Sequence, residues 1–110
     1  MSDQILTAGR ANVSVTSGAA VDLLSTSDTG VPVAHVSRWC LTVSTDHDIT
    51  VSLYKAAGSN AGLVLVKTYS VTSAAPLVLD VSPESAQRLR ATAIASSTTA
   101  TVNCDLAGRA

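Results

Sequence analysis

The chain predicts an all-β domain: an antiparallel two-sheet β-sandwich, jelly-roll-like, with about eight short strands. Three observations carry this. Apolar and small polar residues alternate with a period of two, most cleanly in Asp48-Ile49-Thr50-Val51-Ser52-Leu53-Tyr54. That pattern gives a sheet one buried and one wetted face. The composition leans on Val, Ser and Thr, which lose helix stability through crowding or competing hydrogen bonds and suit strands. Turn residues separate the patterned runs, and no segment provides a helix long enough for a parallel crossover, so the sheets should be antiparallel.

Residues 1–10 lack strand periodicity and read as an exposed N-terminal arm, mobile or laid against a neighbour. The sandwich domain is expected over 11–106. Val13 and Val15 alternate with Asn12, Ser14 and Thr16, then Ser17-Gly18 breaks the run. Val21 and Leu23 follow. Ser25 to Pro32 reads as a loop from its turn residues and proline. Its length suits a crossing between sheets.

Val36 to Ser44 is a long strand, with Trp39, Leu41 and Val43 on one face and Arg38, Cys40, Thr42 and Ser44 on the other. The polar turn Thr45-Asp46-His47-Asp48 predicts that Ile49 to Lys55 runs back as its hairpin partner. Ala57 to Gly62 holds enough glycine for a second turn. Leu63 to Val71 returns from it, and the continuous run Leu63-Val64-Leu65-Val66 predicts a strand end covered on both faces. Leu77, Leu79 and Val81 mark the next strand. Pro83-Glu84-Ser85-Ala86 fits a single helical turn, with Ser82 as its cap. Arg88 to Ala95 and Thr99 to Leu106 form a last expected pair, with Val102, Cys104 and Leu106 sharing a face. Residues 107–110 read as a C-terminal tail.

The 110 residues argue for one domain. Charged residues make up 14%, against roughly 25% in an average globular protein. Ser and Thr, about a quarter of the chain, take their place. The net charge of −1 gives no support to binding nucleic acid or an anionic membrane. With no Phe, one Trp and two Tyr, the core must be aliphatic. So few aromatics offer few stacking platforms for sugars or bases.

The opening Met1-Ser2-Asp3-Gln4-Ile5-Leu6-Thr7 is not patterned as a signal peptide, and no apolar run approaches the roughly 20 residues of a membrane helix. Synthesis without export is therefore expected. Cys40 and Cys104 then read as free thiols, with a disulfide as the alternative in an oxidising destination, and their separation does not match a metal site.

Asp46-His47-Asp48 is the densest polar cluster. Two carboxylates beside an imidazole could bind a divalent cation or run acid–base chemistry, but at a turn Asp serves backbone hydrogen bonding. His35 reads as a loop histidine. Cys40 has only Arg38 as an activating neighbour on its face and reads as a packed thiol. Trp39 reads as core, with an interface anchor as the alternative. Arg88 and Arg90 flank Leu89 and read as solvated strand-face residues or as ion-pair partners of another subunit. No nucleophile elbow or phosphate loop is legible. No enzyme, catalytic residue, cofactor or metal is expected.

Taken over nearly its whole length, the chain resembles small β-sandwich virion structural proteins of tailed bacteriophages, of the head decoration (cement) type. The resemblance is carried by Ile49-Thr50-Val51-Ser52-Leu53-Tyr54-Lys55, the glycine turn and the returning Leu63-Val64-Leu65-Val66-Lys67-Thr68-Tyr69. It implies a non-enzymatic capsid-binding subunit, found in the virion after synthesis in the host cytoplasm. Its implied partners are the major capsid protein or another virion protein and further copies of itself, with a trimer favoured. The N-terminal arm would dock it. A tail-fibre or head–tail-joining component with receptor or sugar recognition is the alternative. That role would call on Trp39, Tyr54, Tyr69 and the Asp46-His47-Asp48 turn.

Overall fold

The computed structural model describes residues 4–24, 31–32, 38–56, 62–81 and 88–109. His35, the Pro83–Ala86 turn and most of the Ser25–Pro32 and Ala57–Gly62 loops lie outside these residues. Ten strand segments are described: β1 (Gln4–Ala8), β2 (Val13–Val15), β3 (Val21–Asp22), β4 (Val31–Pro32), β5 (Arg38–Thr45), β6 (Ile49–Ala56), β7 (Val64–Val71), β8 (Leu77–Val81), β9 (Arg88–Ala95) and β10 (Ala100–Arg109).

They form two antiparallel sheets. In one, β10 lies between β5 and an edge made of β1 and β2, and β8 closes the far side. In the other, β9 lies between β6 and an edge made of β3 and β4, and β7 closes the far side. Because β1 and β2 share one edge of β10, and β3 and β4 one edge of β9, the ten segments fill eight strand positions. Numbered along the chain, those positions run 1-8-3-6 in one sheet and 2-7-4-5 in the other. That is the order of a jelly roll.

The core lies between the sheets and is aliphatic, as the composition requires. Trp39, Leu41 and Val43 of β5 are buried with Val102, Cys104 and Leu106 of β10, while Ile49, Val51 and Leu53 of β6 pack with Leu89, Ala91, Ala93 and Ala95 of β9. Burial contributes roughly 1.5–3 kcal/mol for each large aliphatic side chain. The facing of Trp39 and of Cys104 is as the alternation indicates. The outward rows carry hydroxyls: Ser14, Thr42, Ser44 and Thr101 on one sheet, Thr50, Ser52 and Thr68 on the other.

Four expectations about pairing and ends are corrected. The run 1–10 is not an unpaired arm: Gln4–Ala8 pairs with Leu106–Arg109. A bulge at Ile5 shifts the register between Gln4 and Leu6 and hides the strand from a period-two reading. Residues 107–109 are likewise strand, not tail, because β10 runs on to Arg109. The turn 45–48 does not close a hairpin: β5 and β6 belong to different sheets, and so do β9 and β10. A short polar turn can span two neighbouring strands about 5 Å apart or two sheets about 10 Å apart, and alternation alone does not say which. Only β6 and β7, among strands consecutive in the chain, pair with each other.

Candidate functional site

The sandwich has two long sides, and they are built differently. On the first, the β1/β2 edge lies next to the β3/β4 edge. Gly9 and Arg10, between β1 and β2, tie the sheets together. The Gly9 amide donates to the Leu24 carbonyl of the other sheet at 3.1 Å, while within its own sheet the Arg10 carbonyl accepts from the Cys104 amide at 2.9 Å. The Arg10 guanidinium donates to the Asp22 carbonyl at 2.9 Å. The Asp22 carboxylate accepts from Arg90 Nε at 2.6 Å and Nη2 at 3.4 Å. Gly9 sits at φ 133°, and a Cβ there would lie 2.1 Å from the Cys104 carbonyl oxygen. Only glycine fits this approach. Asn12, at φ 54°, makes the second left-handed step, and its amide donates to the Asn103 side chain at 2.9 Å.

On the second side, where β7 and β8 are the outer strands, large apolar residues are exposed. Val64, Leu65 and Val66 of β7 are 66%, 49% and 51% exposed, and Val78 of β8 is 62% exposed. The expectation that Leu63–Val66 is covered on both faces therefore fails within one copy of the chain. Leu65 stands opposite Tyr54, and Val64 opposite Lys55. Val66 is the extra residue of a bulge that shifts the register between Leu53 and Tyr54. Lys67 occupies the row of the buried Leu53, and its ammonium lies 5.3 Å from the centre of the Tyr69 ring. Scattered exposed apolar residues are ordinary; here three consecutive ones stand on an edge strand, Val64 in the row of Lys55 and Leu65 in the row of Tyr54. Val78 carried no flag in the alternation, although Leu77-Val78-Leu79 is apolar on both faces, and that was the available signal.

The Asp46-His47-Asp48 turn lies at one end of the sandwich, where it lines a polar depression of about 260 Å³ with Ser73, Ser97 and Thr98. Asp46 has a structural duty there. Its carboxylate accepts from the Thr101 amide at 2.7 Å and lies 3.0 Å from His47 Nδ1. The Asp46 amide returns a bond to the Thr101 carbonyl at 3.3 Å, and the Ser96 amide donates to the Asp48 carbonyl at 3.1 Å. The Thr101 amide, with His47 beside it, holds the Asp46 carboxyl below its ordinary value. This is a turn that staples β5 to β10 at their ends. Among the described residues no three His, Cys, Asp or Glu side chains gather to hold a metal ion.

The other singled-out residues are dispersed. Trp39 is buried in the core, and Lys55 Nζ lies 6.0 Å from its ring centre. Arg90 packs 5.6 Å from the Tyr54 ring centre and pairs with Asp22 of its own chain. The aromatics named for ligand recognition are thus buried or covered by cations. Cys40 and Cys104 are free thiols on opposite faces of their sheet. Burial, and secondarily Asp105, pushes the Cys104 thiol up to about 12, so it is inert as a nucleophile at neutral pH.

No family model matches the chain, and no curated protein matches it. Among solved structures it is similar to the crystal structure of PirA, with a TM-score of 0.55 and 17% sequence identity over 88% of this chain and 90% of that chain. At that identity the likeness speaks to the fold alone.

Proposed function

We propose that the chain is a non-enzymatic structural subunit that binds the outside of a phage capsid as a decoration or cement protein and works through protein–protein contact. The observation that carries this reading is the run of exposed Val64, Leu65 and Val66 on the edge strand β7. Covering these side chains removes apolar area from water, and the uncharged hydroxyl rows beside them lower the desolvation penalty of close packing. A shell presents many equivalent sites, so modest contacts add through multivalency. Since β1 is engaged in its own sheet, the docking role expected of an N-terminal arm passes to β7.

The test is co-sedimentation of the full chain with capsids that lack their decoration protein. The wild type should pellet with the particles, and a Val64→Lys/Val66→Lys variant should lose at least tenfold in occupancy. Full occupancy by the variant would overturn the reading.

A second reading, a tail-fibre or head–tail-joining component with receptor or sugar recognition, draws on the polar depression beside Asp46 and Asp48. A calcium titration and a glycan array, both without response, would remove it.

A further inference from the structure

Natural sheets protect their edges with breaks, bulges, prolines and inward charges, because an unprotected edge is a template for another strand. Three of the four edges here carry such devices. The β1/β2 edge is interrupted at Gly9–Asn12 and bulged at Ile5. The β3/β4 edge is split into two-residue pieces, and the second ends in Pro32. The β7 edge has the bulge at Val66 and the inward-row Lys67. Among the described residues the β8 edge has no such device: its five residues pair with β5 in unbroken register from Trp39–Val81 to Val43–Leu77.

We propose that β8 is a self-association edge that pairs antiparallel with β8 of a second copy about a two-fold axis through Val78. In that register Val78 faces its own symmetry mate and Leu77 faces Leu79 of the other copy, so apolar residues meet apolar residues in every central pair. The only charge on the strand, Asp80, falls opposite Pro76, and no like charges are opposed. Centring on Leu79 instead would set Val78 against Asp80.

The contact extends the sheet of β1/β2, β10, β5 and β8 across the axis and adds backbone hydrogen bonds to side-chain burial. It is isologous, the same patch on both copies, and so closes at two, unlike the three-fold closure the family resemblance implies. The proposal deepens the assembly reading and rests on it, yet the two fail separately. The free protein reports on β8, and particle binding reports on β7.

The experiment is sedimentation equilibrium of the full chain between about 10 μM and 1 mM, the range a small interface supports. The wild type should approach twice the 11.1 kDa chain mass, whereas Val78→Lys, a change at an exposed position, should keep its fold by circular dichroism and remain at one chain mass. Val64→Lys should dimerise as the wild type does. Val78→Cys in a Cys40→Ser background should give a covalent dimer with oxidised glutathione, which takes up the two electrons and two protons. Directly opposed antiparallel residues lie at Cα separations of about 4.5–5.5 Å, within disulfide reach. A wild type monomeric throughout, a trimer, a Val78→Lys dimer, or loss of the dimer in Val64→Lys would each overturn the proposal.

Discussion

The two long sides of this sandwich have the same ingredients, two edge strands from two sheets, and opposite treatment. On the β1/β2–β3/β4 side, Gly9 and Arg10 link the sheets through Leu24 and Asp22, and Asp22 is held by Arg90 within its own sheet. On the β7–β8 side, apolar side chains stand in water. A side that satisfies its polar groups internally needs no partner. A side that leaves Val64, Leu65, Val66 and Val78 exposed carries a free-energy reason to acquire one. Variants on the first side should therefore change stability, and variants on the second should change association.

The largest effect is expected at Gly9. Its positive φ and the 2.1 Å approach of a would-be Cβ to the Cys104 carbonyl oxygen predict that Gly9→Ala destabilises by about 3 kcal/mol, read as a fall in the urea midpoint. Asp22→Asn comes next. It weakens the Arg90 fork on a pair whose side chains are 28% and 18% exposed, and should cost about 1–2 kcal/mol.

Asp46 gives a smaller effect with a pH signature. Its carboxyl titrates below 3.8 in the folded state, so its contribution is fully present above that value and fades as pH falls through the folded one. The gap in urea midpoint between wild type and Asp46→Ala should thus be constant near neutrality and close in acid. A gap that widens in acid would contradict the staple role. The smallest stability effect belongs to Val64→Lys/Val66→Lys, within about 0.5 kcal/mol of wild type. A larger loss would mean that these residues serve the fold, which would break the contrast between the sides.

Strands and their facing were legible in the sequence because alternation reports directly on which side chains are buried. Trp39, Leu41 and Val43 read correctly, as did Cys104 with Val102 and Leu106. Partnership was legible for β6 and β7, which pair across the glycine turn, and not elsewhere. Thr45–Asp48 and Ser96–Thr99 have the composition of hairpin turns but cross between sheets, since turn chemistry satisfies backbone groups equally well in either case. Strand β1 was hidden by its bulge at Ile5. The run Leu63–Val66 was visible, but a run that is apolar on both faces looks the same whether its own fold or another molecule covers it. The proposed docking surface on β7 rests on that run.

Hydrogen exchange of the full chain, free and bound to capsids, compares the two sides in one measurement. Amides of Val64–Val71 should gain protection on binding, while those of Gln4–Ala8, Val13–Val15 and Val21–Asp22 should not change. Protection gained on the β1/β2–β3/β4 side, with β7 unchanged, would overturn the assignment of docking to β7.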